Sequence, residues 1–85
     1  MISKIRLRSK AKTLEPIVRI GKNGLTEGTI NEIKRQLKKK KLIKIKLLKS
    51  FVQARDKKEL IKEIASLTNS EIIESVGFIL VLHKK

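Results

Sequence analysis

The chain has no cysteine, no tryptophan and no tyrosine, and its only proline is Pro16. Without cysteine there is neither a disulfide framework nor a thiolate metal centre, which suits a reducing compartment. Two phenylalanines, Phe51 and Phe78, are the whole aromatic complement. They are too few for the stacking platforms that RRM and OB domains present to bases. Phe78 opens an apolar run and is expected in the core; Phe51 is expected to cap a sheet edge. No apolar run approaches the ~18 residues needed to cross a bilayer. The opening "MISKIRLRSKAK" is basic but lacks the apolar stretch of a secretion signal, so a cytoplasmic location is expected.

Catalytic equipment is equally sparse. His83 is the single histidine and lies beside the end of the chain. Ser9, Ser66, Ser70 and Ser75 have no base partner at a motif spacing, and no cluster has metal-ligand spacing. Glu71 and Glu74 stand at i, i+3 on a predicted strand, so they are expected on opposite faces. Neither G-x-x-x-x-G-K-[ST] nor G-x-G-x-x-G occurs. The expectation is no enzyme, no metal and no cofactor.

What the chain does have is positive charge. Lys and Arg number 22 against 8 Asp and Glu, a net charge of +14 on 85 residues. Residues 1–49 hold 16 basic and 3 acidic side chains, whereas residues 50–85 hold 6 and 5. A charge confined to one part of a small domain makes a directional field and favours a polyanionic partner.

Periodicity predicts one domain over residues 1–85. Residues 3–12 read as a short helix, with Lys4, Arg8 and Lys12 in one cationic stripe and Ile2 and Ile5 turned inward. The alternation of Ile5 and Leu7 with Arg6 and Arg8 also fits a strand. Pro16 forces Glu15 into an extended shape, and residues 17–20 read as a short buried strand. Thr26 is a candidate N-cap for a helix whose Ile30, Ile33 and Leu37 face inward. "LIKIKL" (42–47) alternates, with Lys44 and Lys46 on a wet face. Asp56 and Glu59 resemble a capping box before the helical spacing of Leu60, Ile61, Ile64, Ala65 and Thr68. "EIIESV" (71–76) and "FILVLH" (78–83) read as a hairpin about Gly77, the second strand apolar on both faces and hence central. The order α-β-α-β-α-β-β predicts an α/β fold: one compact domain with a mixed four-stranded sheet and helices packed on it.

Three of the four glycines fall in "GKNGLTEG" (21–28), at a strand-to-helix junction. A tight turn before a helix leaves backbone N–H groups pointing outward, beside the positive end of the helix dipole. Lys22 adds a charge there, and Asn23 donates a hydrogen bond or simply accepts a left-handed conformation. From spacing alone, a purely geometric turn and a phosphate-facing one are equally open. The basic surroundings favour the phosphate of a polymer backbone.

"LEPIVRIGKNGLTEG" followed by "KLIKIKL" resembles the CRM domain, the chloroplast RNA splicing and ribosome maturation family. It is most similar to the stand-alone YhbY-type members, from about Ala11 to His83. The resemblance implies the same element order and a likeness to the C-terminal domain of translation initiation factor three. It also implies a G-x-x-G loop comparable to the backbone-clamping loop of KH domains. On this chain that loop is Gly21, Lys22, Asn23 and Gly24. The basic face implied beside it draws on the first helix and on the helix after the loop; the clustering of charge itself points to Lys4, Arg8, Lys12, Lys22, Arg35, Lys38 and Lys39 as its contributors. The implied partner is structured RNA, large-subunit ribosomal RNA or its precursor, bound by a monomer that assists ribosome assembly. The chain departs from the family at Glu15, where Lys is common before the proline, and at His83, where Tyr is common. A permanent ribonucleoprotein component and a helix-turn-helix DNA binder are the alternatives; a membrane-surface helix lacks aromatic anchors.

Overall fold

A computed structural model describes residues 4–21, 24–49 and 56–85. The order is α1 (Lys4–Ala11), β1 (Val18–Ile20), α2 (Glu27–Lys40), β2 (Leu42–Leu47), α3 (Lys57–Leu67), β3 (Ser70–Val76) and β4 (Ile79–Lys84). It matches the predicted sequence of elements. The sheet runs β1-β2-β4-β3. β1 lies parallel to β2, and β4 lies antiparallel to both β2 and β3. Each strand-helix-strand unit therefore carries a crossover helix, and the last strand inserts between β2 and β3.

Local chemistry explains the helix boundaries. At the start of α2 the Thr26 hydroxyl accepts the Thr29 N–H at 3.1 Å, and at the start of α3 the Asp56 carboxylate accepts the Lys58 N–H at 2.9 Å. Each satisfies one of the N–H groups that a helix start leaves unpaired. α2 ends abruptly at Lys41, whose N–H returns to the Leu37 carbonyl at 2.8 Å while its φ swings to 66°. That swing lets β2 begin at the next residue. α3 ends with the Thr68 hydroxyl donating to the Ile64 carbonyl at 2.7 Å and bonded to Ser70 Oγ at 2.8 Å. These two buried polar groups are thus satisfied as burial requires.

The sheet is covered on both faces. Ile33 and Leu37 of α2 and Leu60, Ile61, Ile64 and Ala65 of α3 pack on Ile20, Ile43, Ile45, Leu47, Leu80 and Leu82. On the opposite face Leu7 and Ala11 of α1 pack on Leu42, Ile73 and Val81. The second core corrects several expectations. α1 is a helix with Leu7 and Ala11 inward, and Ile5 is 76% exposed. The i, i+4 spacing of Leu7 and Ala11 wins because Ile5 lies half a turn away. Ile2 and Phe51 lie outside the described residues.

Lys44 is half-buried rather than wet, and its Nζ donates to the Leu14 carbonyl at 3.2 Å. β1 is an edge strand with Val18 and Ile20 buried but Arg19 exposed. Phe78 is 43% exposed and not in the core. It occupies the second position of the two-residue turn that follows Val76, after Gly77 at φ 57°. Finally, β3 is bulged: Ile72 pairs with Leu82 but Glu74 pairs with Val81, leaving Ile73 as the extra residue. A bulge shifts the pleat by one. Glu71, paired with His83, and Glu74 therefore share the α1 face instead of opposing one another.

The helix phase can be tested by stability. Leu7→Ala should cost about 2–3 kcal/mol, as for a buried leucine, whereas Ile5→Ala should stay within about 0.5 kcal/mol. Urea unfolding of both variants makes the comparison; equal losses would contradict the phase.

Candidate nucleic-acid interface

Strand pairing extends past β1: the Leu48 N–H donates to the Ile20 carbonyl at 2.8 Å. The chain then bends. The Gly24 N–H donates to the Gly21 carbonyl at 2.9 Å, and the Thr26 N–H to the Gly24 carbonyl at 3.1 Å. The first bond closes a four-residue turn that delivers the chain directly to the Thr26 cap. Gly24 sits at φ 67°, where a Cβ would collide with backbone. Gly21 is needed for a different reason. A Cβ there would lie 2.7 Å from Leu48 Cδ1, the tip of a flexible side chain. Gly21 and Gly24 are both half-exposed, so the bend is open to a partner. Lys22 and Asn23, between them, lie outside the described residues.

The predicted cations are dispersed. Lys4 lies 3.9 Å from the Glu71 carboxylate, and Arg8 Nε donates to the carbonyl of the bulged Ile73 at 3.2 Å. Both thus anchor α1 to β3. Arg35 makes a forked pair with Glu32, at 3.1 and 2.9 Å. That guanidinium, and then the Gln36 amide, hold the Glu32 carboxyl below its ordinary pKa; the same pair raises Arg35. Lys12 is exposed beyond the end of α1, and Lys38 and Lys39 are exposed in the last turn of α2. At 1.5 Å per residue, Lys38 and Lys39 stand about 17 Å along α2 from the bend.

A second gathering was missed. With Leu7 facing inward, Arg6 and Lys10 fall on the flank of α1 that meets the end of α2. Together with Lys40, Lys41, Leu42 and His83 they line an open groove of about 320 Å³. The Lys84 N–H donates to the Lys41 carbonyl at 2.7 Å and fixes that corner. Beyond α2, Lys34, Lys38, Lys84 and Lys85 line a smaller hollow of about 150 Å³. The C-terminal end of α2 is therefore flanked by cations on two sides, at the end of the sheet opposite the glycine bend. The helical positions of Arg6 and Lys10 relative to Leu7 carried the signal. With Ile5 read as the inward residue, that gathering is not visible in the sequence.

Among the described residues no three or more His, Asp or Glu gather as a metal site. None of the described helices is long and apolar enough to cross a membrane. The geometry offers cationic hollows of about 150 and 320 Å³ and a bend whose two glycines are half-exposed, with apolar cores closed beneath them.

Comparison with known proteins places this geometry. The family model of the CRS1 / YhbY (CRM) domain matches residues 3–84. The chain belongs to the CRS1/YhbY (CRM) domain family. A Methanocaldococcus jannaschii protein named as a probable RNA-binding protein is 40% identical over 78 residues, covering 92% of this chain and 58% of that protein. A Haemophilus influenzae protein named as an RNA-binding protein is 36% identical over 78 residues, covering 92% of this chain and 77% of its own. This CRM domain thus spans little more than half of the archaeal relative. The solution structure of a hypothetical protein from Staphylococcus aureus superposes with a TM-score of 0.78 at 33% identity, covering all of this chain and 90% of that one.

For the CRM bend, Gly24→Ala should lower stability by about 1–2 kcal/mol, a fall of at least ~4 °C in Tm for a domain of this size. Gly21→Ala should lower it less, because Leu48 can swing aside. Calorimetry of both variants checks the order, and a larger loss at Gly21 would contradict the geometry.

Proposed function

We propose that this CRM domain is a non-catalytic RNA-binding protein. It grips the phosphates of a structured RNA along a surface that runs from the glycine bend to the cationic end of α2. One observation carries the proposal: Arg6 and Lys10 of α1 and Lys40 and Lys41 at the end of α2, two segments far apart in sequence, line one groove. Like charges repel and cluster only at a cost to the folded chain. Their concentration makes sense as the footprint of a polyanion, whose released counterions would drive binding. The names of the relatives support RNA as that polyanion.

The two ends of the surface have different roles. The bend presents backbone at a helix start, where Glu27 opposes an anion that the dipole alone would attract. Flanking cations such as Lys22 are therefore needed to tip the balance. The lysines at the end of α2 act as point charges, setting affinity without reading bases. Arg35, already paired with Glu32, contributes less than an open cation.

The finer proposal follows from the family resemblance. The protein acts in the cytoplasm, as a monomer, on large-subunit ribosomal RNA or its precursor during assembly. Sedimentation should place it with precursor large subunits and away from translating ribosomes.

Binding of a labelled, folded ribosomal RNA fragment across a salt series tests the phosphate grip. For about five neutralised phosphates, log affinity should fall against log salt with a slope of roughly −3.5 to −4.5. The double variant Lys10→Glu, Lys40→Glu should weaken binding and flatten that slope by about two. The α3 control Lys58→Glu, Lys62→Glu should change it less. Equal effects from both pairs, or tighter binding to duplex DNA than to RNA, would overturn the proposal.

A further inference from the structure

α3 keeps its charges in two separate stripes. Lys58 and Lys62 stand at i, i+4, and so do Glu59 and Glu63. Residues at that spacing are neighbours on a helix, and like charges there are mildly destabilising. Exchanging Lys62 with Glu63 would turn both repulsions into attractions. Lys57 and Lys58 add a second cost, because they lie in the first turn, beside the positive end of the helix dipole. Among the described residues no carboxylate pairs with Lys57, Lys58 or Lys62. The helix thus bears a cationic flank that does nothing for its own stability.

That flank faces the edge of the sheet. Lys57, Lys58, Ile61 and Lys62 line an open groove of about 370 Å³ with Ile72 and Ser75 of β3. Ile72 and Ser75 pair with Leu82 and Leu80, which belong to the core under α2 and α3. Direct cross-strand partners share a face, so both residues stand on the α3 side. The floor is aliphatic: Ile61 is 7% exposed, and half-buried Ile72 packs against the same core. β3 is the last strand of the sheet, and among the described residues no further strand closes its outer side.

The lining selects its occupant. A phosphodiester chain would satisfy the lysines but brings nothing to an aliphatic floor. None of the lining residues is aromatic, so a base gains no stacking partner. A protein segment that alternates carboxylates with aliphatic side chains matches both parts. Its aliphatic side chain covers Ile61 and Ile72, and its carboxylates meet the lysine ammonium groups, whose methylene stems extend the apolar wall. Lys57 to Lys62 spans about 8 Å of helix, the length of roughly two or three extended residues.

We propose that the groove between α3 and β3 docks an acidic, aliphatic segment of a partner protein. It shares no lining residue with the cationic hollows beside α2. It also lies three strand spacings, about 14 Å, across the sheet from β1 and the glycine bend that follows. A partner held here leaves the RNA surface open, and the proposal stands independently of RNA binding.

The test is fluorescence anisotropy with a short labelled peptide of alternating glutamate and isoleucine. Two control peptides replace every glutamate by glutamine or every isoleucine by serine. The wild-type chain should bind the parent peptide about five-fold or more tighter than either control. The exchange Lys62→Glu, Glu63→Lys keeps the net charge, so any general attraction of a basic protein for an acidic peptide is unchanged; it should weaken binding about five-fold. Lys58→Glu, which places an acid in the first turn and favours the helix, should weaken it similarly. Amide shifts should centre on Lys57 to Lys62 and Ile72 to Ser75. No binding by the wild type, equal binding of the glutamine peptide, or an exchange variant that binds like the wild type overturns the proposal. Shifts confined to the groove of Arg6, Lys10, Lys40 and Lys41 do the same. A folded ribosomal RNA fragment that displaces the peptide and moves the same α3 amides assigns the groove to RNA and also overturns it.

Discussion

The structure depends on the double pairing of β4. This strand, the last in the chain, is hydrogen-bonded by β2 on one side and β3 on the other. Its alternate side chains feed both cores: Leu80 and Leu82 join the larger one, and Val81 the smaller. A strand that is apolar on both faces is stable only when both faces are covered. That requirement brings α1 to one side and α2 with α3 to the other. It also fixes the two ends of the sheet. At one end lie the glycine bend, Leu48 and the Phe78 turn. At the other lie the α2 terminus, Lys41 and Lys84. The candidate interface inherits its geometry from this strand.

Charge is organised around that frame. A net +14 on 85 residues would oppose compaction if it were spread through the structure. Instead the cores are apolar, and acidic side chains engage Lys4 and Arg35. Both pairs are surface pairs, which contribute little to stability. Their consequence is distributional, since they lower the local field on one flank of α1 and mid-way along α2. Cations line hollows on two sides of the end of α2. There Lys41 adopts a positive φ, a conformation that costs about 1–3 kcal/mol in a non-glycine residue and ends the helix at its most charged point.

Most of the element order could be read from spacing, because caps and periodicity are local. Thr26 and Asp56 cap their helices, Asp56 through the Lys58 N–H rather than that of Glu59, and the alternation of Ile43, Ile45 and Leu47 locates the main core. The misreadings share one cause: they depended on which second face the sheet would acquire. Ile5 was preferred over Leu7 because nothing local to α1 reveals what it packs against. Lys44 read as wet because the connector carrying Leu14 comes from 30 residues away. The bulge at Ile73 has no glycine to announce it, so Glu71 and Glu74 were set on opposite faces. Phe78 was placed in the strand because the two-residue turn ends one position later than the apolar run suggested. The glycine bend is legible because Gly24 is required by the backbone alone. The Arg6, Lys10, Lys40 and Lys41 groove is not, because it exists only once two distant segments meet.

The central claim is that the polyanion lies along the bend and the cationic end of α2, on a domain organised around β4. Amide chemical-shift mapping of the isotope-labelled chain during titration with a folded ribosomal RNA fragment tests it directly. Shifts concentrated at Gly21, Gly24, Arg6 to Lys12 and Lys34 to Lys41, with α3 residues Lys57 to Lys62 unmoved, are the predicted result. Shifts centred on the outer face of α3, with the bend and the groove unchanged, would contradict it.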